Sequence, residues 1–204
     1  MKTKSKALLL ALCAVSLVTA SVFGTMAYLT STDKVENTFT VGSVAITMDE
    51  TDVDDSTPNA DRDKANSYKL LPGHEYTKDP TIHVDADSEE CFLFVKVDNG
   101  IAAIESKEAD KSVAAQMATK GWMEVNVEGQ NGIYVYVGQT DKPAVVAKGA
   151  NIPVFDNITI DGSVDNATLA RYENQTITVN AYAVQKDGFE NKTPAEIWTA
   201  AFGK

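Results

Sequence analysis

The amino-acid sequence predicts a mainly β protein, an antiparallel and immunoglobulin-like β-sandwich with one helical insertion and a short C-terminal helix. Short runs of apolar or alternating residues recur along most of the 204 residues, as is typical of strands. Clusters of Gly, Asn and Asp separate these runs and favour tight turns. Only two stretches carry helical signals, so the predicted strands must pack mainly on one another.

Residues 1–27 have the pattern of a secretory signal peptide. Three lysines precede an unbroken apolar run, and the small residues Thr25 and Ala27 follow it. This order predicts cleavage between Ala27 and Tyr28, which leaves residues 28–204 as a single secreted domain. A retained membrane anchor is the alternative, but the run is short for a membrane span and is diluted by Ser, Thr and Ala.

The chain is strongly acidic, with 18 basic and 29 acidic residues and a formal charge of −11. Removal of the signal leaves 15 basic against 29 acidic residues, a charge of −14. Such a surface repels nucleic acid and anionic lipid, and it favours solubility, divalent cations or basic partners. Cys13 leaves with the signal, so Cys91 stays alone and no intramolecular disulfide is expected.

The first strands and the first loop are predicted from the alternation of apolar and polar residues and from the positions where this alternation breaks. Residues 37–48 are predicted to form a strand with a bulge at Gly42, where the alternation changes phase. Residues 49–66 are polar and acidic, which predicts a long exposed loop. Strands follow at 81–84 and 90–98, and the second should be a central strand because both of its faces are apolar.

The second half of the chain combines one helical region with further strands. Residues 101–120 are predicted to be a helical region, whose last part has Asp110 as a candidate N-cap and Gly121 as the stop. Further strands are expected over the ranges 122–127, 133–137, 144–147, 154–160 and 176–185. The sequence from Thr193 to Glu196 is a capping box with Pro at N1, which predicts a short closing helix.

The residues offer little for catalysis. His74 and His83 are the two histidines, and no helical zinc-protease motif contains them. A zinc site from His74, Glu75 and His83 is conceivable, but its spacing matches no dedicated site. Cys91 lies in an apolar run, which indicates a buried structural thiol. We therefore predict no catalytic residues, no metal site, no cofactor and no enzymatic activity.

The acidic segment that begins at Asp49 could bind calcium through its clustered carboxylates. It continues through Asp52, Asp54 and Asp55, and Asp61 and Asp63 follow. The segment lacks the spacing and the glycine of an EF-hand loop. A solvated acidic loop is therefore the preferred interpretation, and calcium binding stays open.

Several blocks resemble the TasA/camelysin family of Gram-positive bacteria. The N-terminal block runs from Gly24 to Thr30 and on through Asn37-Thr38-Phe39-Thr40-Val41-Gly42. Leu71-Pro72-Gly73 with Lys78-Asp79-Pro80-Thr81 resembles the next block, and residues 181–189 and 195–202 resemble the closing one. The resemblance implies a jelly-roll-like sandwich, cleavage by the ER-type signal peptidase SipW, and a role as a subunit of biofilm matrix fibres.

The predicted function is therefore a secreted structural protein of the extracellular matrix or cell surface. It would assemble with itself or with related subunits, bind no nucleic acid, and touch the membrane only through its uncleaved signal. The candidate exchange strand carries Val35, Phe39, Val41, Val44 and Ile46, because β-prone alternating residues at a freed terminus suit strand exchange. A camelysin-like metallopeptidase and a monomeric adhesion module are the alternatives.

Overall fold

The apolar run at 91–97 forms the central strand of the fold. The structure is a computed structural model that describes residues 43–54 and 62–203, together with Cys13. The strands are β1 Ile46–Thr51, β2 Arg62–Asp63, β3 Glu75–Thr77, β4 Thr81–Val84, β5 Cys91–Asn99, β6 Trp122–Glu124, β7 Ile133–Tyr136, β8 Asn151–Pro153, β9 Asn157–Thr159 and β10 Ile177–Gln185. The helices are α1 Val113–Thr119, α2 Asn166–Leu169 and α3 Pro194–Phe202, with 3₁₀ turns at Ala102–Ile104 and Ala170–Tyr172.

The mainly β, antiparallel fold is confirmed. One four-stranded sheet has the order β10-β5-β7-β6, another has the order β2-β1-β4-β8, and β3 pairs with β9. All the strand pairs are antiparallel. Strand β5 lies inside its sheet and is buried on both faces from Cys91 to Val95, as its continuous apolar run predicts.

The two larger sheets contribute to one hydrophobic core. Ile82 and Val84 from β4 share a buried cluster with Leu93 and Val95 from β5, which is the packing expected of two stacked sheet layers. The opposite face of β5 carries Phe92 and Phe94, which belong to a second cluster beneath α3. Alternating side chains of one strand therefore supply both cores.

The closing helix begins where its capping box predicts. The Thr193 side chain accepts a hydrogen bond from the Glu196 amide, and the Glu196 carboxylate accepts one from the Thr193 amide. Trp198 and Phe202 of α3 pack on Phe94 and Tyr182 of the sheet below, with ring centroids 5.0–6.1 Å apart. This aromatic layer buries one face of the β10-β5-β7-β6 sheet.

The helical insertion differs from its prediction at the start. The N-cap of α1 is Ser112, whose hydroxyl accepts from the Ala115 amide, and not Asp110. Asp110 has a φ of 64° in the preceding turn. The helix ends as predicted, because Gly121 follows it with a φ of 85°. No larger residue fits there, since a Cβ on residue 121 would lie 2.5 Å from the Gly138 carbonyl oxygen.

Other predicted boundaries need correction. The range 154–160 is not one strand, since β8 ends at Pro153 and β9 covers only Asn157–Thr159. The range 144–147 holds a single bridge, between Val146 and Cys91. The predicted loop at 49–66 is partly sheet, because β1 continues to Thr51 and β2 pairs with it.

Candidate functional site: the groove beside β10

A large groove lies along one side of β10. It encloses about 1060 Å³ between β10 and the segment 166–176 on one side and β1 and the segment 63–70 on the other. A smaller depression of about 300 Å³, between Ile46–Met48 and Val179–Tyr182, shares Met48 and Val179 with it. The two together follow β10 for most of its length.

Strand β10 presents to this groove an edge that no described strand pairs with. Within the described residues it pairs only with β5 and ends its sheet. The Lys186 amide donates to the Glu90 carbonyl (3.0 Å) and the Gly100 amide donates to the Thr176 carbonyl (2.9 Å). Because hydrogen-bonded pairs alternate in an antiparallel ladder, the even-numbered residues of β10 bond to β5. The backbone groups of the odd-numbered residues in 177–185 therefore point to the open edge.

The same alternation orders the side chains of β10. Ile177, Val179, Ala181 and Ala183 pack against the core shared by the two sheets. Tyr182 and Val184 pack on the opposite face, beneath α3. The edge is thus held in position from both faces while its backbone groups stay available.

Arg62 ties the short strand β2 to the groove wall. Its guanidinium bonds to the carboxylates of Asp49 and Asp79, and it also donates to their backbone carbonyls at 3.1 and 3.0 Å. Asp79 in turn accepts from the amide and the hydroxyl of Thr51, at 2.6 and 2.9 Å. We refer to Arg62, Asp49, Asp79 and Thr51 as the Arg62 network.

The network alters the acidity of its carboxylates. Burial acts to raise the pKa of Asp49, but hydrogen bonds from Arg62 and His83 outweigh it and hold that pKa below its usual value. Burial also acts to raise the pKa of Asp79, but hydrogen bonds from the Thr51 amide and from Arg62 outweigh it, so this pKa is lowered too. Both side chains therefore remain ionised well into the acidic range.

His83 joins β4 to the same network. Its Nδ1 lies 2.6 Å from Asn151 Oδ1 and its Nε2 lies 3.0 Å from Asp49 Oδ1. Two oxygen acceptors favour the doubly protonated ring, so the contacts to Asn151 and then Asp49 raise the pKa of His83. The His83 side chain is 29% exposed, so the ring is partly buried in this network.

A second polar cluster lies on the other face of β1. Lys78 Nζ lies 2.6 Å from Glu50 Oε2, and Asn66 Nδ2 donates to Glu50 Oε1 at 3.0 Å. The side chain of Glu50 is only 5% exposed and that of Lys78 12%. We refer to Glu50, Lys78 and Asn66 as the Glu50 cluster. Tyr68 lies beside it, with its ring centroid 5.9 Å from Lys78 Nζ, and burial followed by the Glu50 charge raises the pKa of Tyr68.

The candidate metal-binding groups that the structure describes are not brought together. His74 bonds within its own turn, to the Pro72 carbonyl (3.2 Å), whereas His83 lies in the Arg62 network. Of the acidic segment, Asp49 faces Arg62 and Asp54 accepts from the Ser67 amide. Within 43–54 and 62–203, no group of three or more His, Cys, Asp or Glu side chains is arranged to hold a metal ion.

Cys91 is placed as its apolar surroundings predict. The thiol is fully buried in β5, and this burial raises its pKa to about 11. A thiol with so high a pKa carries almost no thiolate near neutral pH, so it is a poor nucleophile. Cys91 therefore contributes to packing.

Part of the candidate exchange strand lies in the subunit's own fold. Ile46 pairs with Val84 in β4, and Val44 packs against the shared core. The backbone carbonyls of Ser43 and Ala45 accept hydrogen bonds from Glu89 and Asp85. Ile46 and Val44 are therefore not free to exchange, because they would have to leave this pairing. Val35, Phe39 and Val41, like Ala27 and Tyr28, lie outside the described residues.

The burial of Glu50 was not predicted from the sequence, although the alternation of residues along β1 indicates it. Val44, Ile46 and Met48 occupy alternate positions and pack on the core. Glu50 continues the same alternation, so it must point to the buried side of β1. The boundary predicted after Met48 concealed this, because a run of acidic residues favours a loop.

Comparisons with known proteins identify no relative: no protein-family model, curated protein or solved structure matches this chain. The resemblance to the TasA/camelysin family thus remains a prediction from sequence motifs. None of the helices in the described ranges is both long and apolar enough to span a membrane.

Proposed function

We propose that this protein is a secreted structural subunit that assembles outside the cell by adding a strand from a neighbouring copy to β10. The observation that carries the proposal is the edge of the nine-residue strand β10, which lines an open groove and pairs with no second strand of the described residues. An exposed strand edge is a template for pairing with another chain. The signal-like N-terminus and the family resemblance support export and a matrix role.

The donor segment in this proposal is residues 28–42. Its side chains at Val35, Phe39 and Val41 alternate, as an added strand requires. Backbone hydrogen bonds to the open edge would supply affinity, and the groove would set the register through side-chain contacts. A head-to-tail contact of this kind does not close on itself, so repetition produces a fibre. Signal cleavage would free the segment and start assembly.

The test compares three secreted proteins by electron microscopy and light scattering. The protein that begins at Tyr28 should form fibres, whereas a variant that begins at Thr38 should not. Ala181→Pro removes one backbone N–H from the open edge and leaves the ladder with β5 intact, as proline is tolerated on edge strands. This variant should stay folded by circular dichroism and fail to form fibres.

Ala181→Val is the matched control, because it changes the side chain and keeps the N–H. It should assemble like the parent protein. Fibres of normal yield from the Thr38 variant would show that residues 28–37 are not the donor. Fibres from Ala181→Pro would exclude the β10 edge as the acceptor, and a monomeric parent protein would favour an adhesion module instead.

A further inference from the structure

The Glu50 cluster places an amine and a carboxamide against the same carboxylate. The two oxygens of the Glu50 carboxylate hold the two nitrogens, Lys78 Nζ at 2.6 Å and Asn66 Nδ2 at 3.0 Å. The amine and the amide are therefore neighbours across one carboxyl group. We infer that Lys78 and Asn66 are positioned to form an intramolecular isopeptide bond, with Glu50 as the acid–base group.

The carboxamide is held as a reacting group needs to be. Asn66 Oδ1 accepts from the Val53 amide at 2.8 Å, and Nδ2 donates to both Glu50 Oε1 and the Thr51 carbonyl, the latter at 2.9 Å. The Val53 N–H can stabilise negative charge that develops on Oδ1 during attack. The contacts of Nδ2 fix the orientation of the side chain and place its nitrogen against the carboxyl group that must protonate it.

Glu50 and Lys78 are largely shielded from water. Glu50 as a residue is 4% exposed, and the Lys78 side chain is 12% exposed. The 2.6 Å contact between Nζ and Oε2 lets a proton pass directly from Lys78 to Glu50. The Tyr68 ring centroid lies 5.9 Å from Lys78 Nζ, so the ring covers one side of the amine.

The reaction balances without any co-reactant. Lys78 first transfers a proton to Glu50, which leaves a neutral amine beside a carboxylic acid. The amine lone pair attacks Cγ of Asn66, so that the Nζ–Cγ bond forms and negative charge collects on Oδ1. Glu50 protonates Nδ2, the Cγ–Nδ2 bond breaks, and Glu50 takes the remaining excess proton from Nζ. Ammonia leaves and removes that proton from Glu50 as ammonium, and Glu50 is a carboxylate again. Because Glu50 binds both nitrogens, the reaction needs no bimolecular encounter.

The product would fasten the wall of the groove. The bond joins the segment that follows β2 to the residue that follows β3, and β1 lies between them with Glu50. A covalent link of this kind restricts the unfolded chain much as a disulfide does. It would serve a secreted domain whose described part contains the single buried thiol Cys91 and no disulfide.

Intact-mass spectrometry of the purified secreted protein tests the inference. The parent protein should be lighter than its sequence by one ammonia, and a protease digest should contain a branched peptide that joins residues 66 and 78. Lys78→Arg keeps a cation against Glu50 but cannot form the bond, so its mass should equal its sequence mass. Glu50→Gln should also lose the mass deficit, because amide formation then lacks its proton acceptor.

Lys69→Arg is the control, since Lys69 is an exposed lysine close in sequence and outside the cluster. It should keep the full mass deficit. A folded parent protein that retains its full sequence mass after prolonged incubation would overturn the inference, even if the Glu50→Gln variant fails to fold. A mass gain that corresponds to hydrolysis of Asn66 to Asp, without a branched peptide, would overturn it as well.

Discussion

Asp49 and Glu50 are adjacent carboxylates on β1, and they have opposite environments. Asp49 points to the side of Arg62 and His83, where its side chain is 27% exposed. Glu50 points to Lys78 and Asn66, where its side chain is 5% exposed. Alternation along one strand is enough to produce the difference. Neighbouring acidic residues in a sequence thus need not share a role.

The two environments should differ in energetic weight. Partly exposed ion pairs are screened by solvent and typically contribute about 0–1 kcal/mol. A buried charge that loses its partner costs far more, because the charge left behind is poorly solvated. The Arg62 network should therefore fasten a surface segment, whereas the Glu50 cluster should be required for the stability of the whole domain.

The largest expected effect comes from Glu50→Ala. This change leaves Lys78 buried without its carboxylate and removes one of the two acceptors of Asn66 Nδ2, so we expect a loss of about 3–5 kcal/mol in the free energy of unfolding. Urea denaturation of the purified protein measures it. The double variant Glu50→Leu with Lys78→Met also lacks the link between Lys78 and Asn66, so it should recover only the part of the loss that comes from the unpaired charge. If Glu50→Ala lowers the free energy of unfolding no more than Asp49→Ala does, the buried carboxylate is not the more important of the two.

A smaller effect is expected for Arg62→Ala in the exposed network. The loss should be about 1 kcal/mol, because Asp49 and Asp79 can turn to water once the guanidinium is gone. Hydrogen exchange should become faster in the segment 62–66 and stay unchanged in β5. Arg62→Lys is the matched control and should restore only part of the protection, since lysine cannot bridge two carboxylates with a planar fork. Faster exchange throughout β5 would mean that the network supports the core.

The smallest expected effect is the pH dependence set by His83. Its pKa is raised in the folded protein, so its contribution is fully present below the unfolded value of about 6.5 and is lost as the pH rises through the folded value. Asp49 has a lowered pKa, so its contribution is lost only as the pH falls below about 4.

Stability measured by thermal unfolding should therefore fall by less than about 1 kcal/mol between pH 6 and pH 8 through this group. His83→Gln should remove the fall in stability between pH 6 and pH 8 and leave the loss of stability at acidic pH unchanged. If the stability of this variant changes with pH as that of the parent protein does, the protonation of His83 does not contribute to stability.

The sequence was sufficient where a local pattern and the tertiary environment agree. The continuous apolar run of β5, the alternation of β10 and the capping box at Thr193 all led to the observed elements. It failed where two local candidates compete. Asp110 and Ser112 are both good N-cap residues, and the choice of Ser112 follows from where Val113 and Met117 must lie to enter the core.

The candidate site was predicted less well than the fold, because its parts come from distant segments. Asn66, Lys78 and Glu50 have nothing in common along the chain, and only the pairing of β1 with β2 and β4 brings their segments together. The same holds for Arg62, which the sequence assigned to an exposed acidic loop. Charge composition left calcium binding open there, whereas Arg62 already lies against Asp49 of that segment.

The sequence by itself determined the fold class, the buried strand at Cys91 and the closing helix, because each depends on residues close together along the chain. Tertiary structure alone decided which edge of the sheet no described strand covers and which carboxylate of β1 is buried. Both depend on partners supplied by remote strands: β5 pairs with only one side of β10, and Lys78 approaches only one face of β1. Local patterns specify which side chains become buried, but long-range strand pairing specifies which residues they contact there.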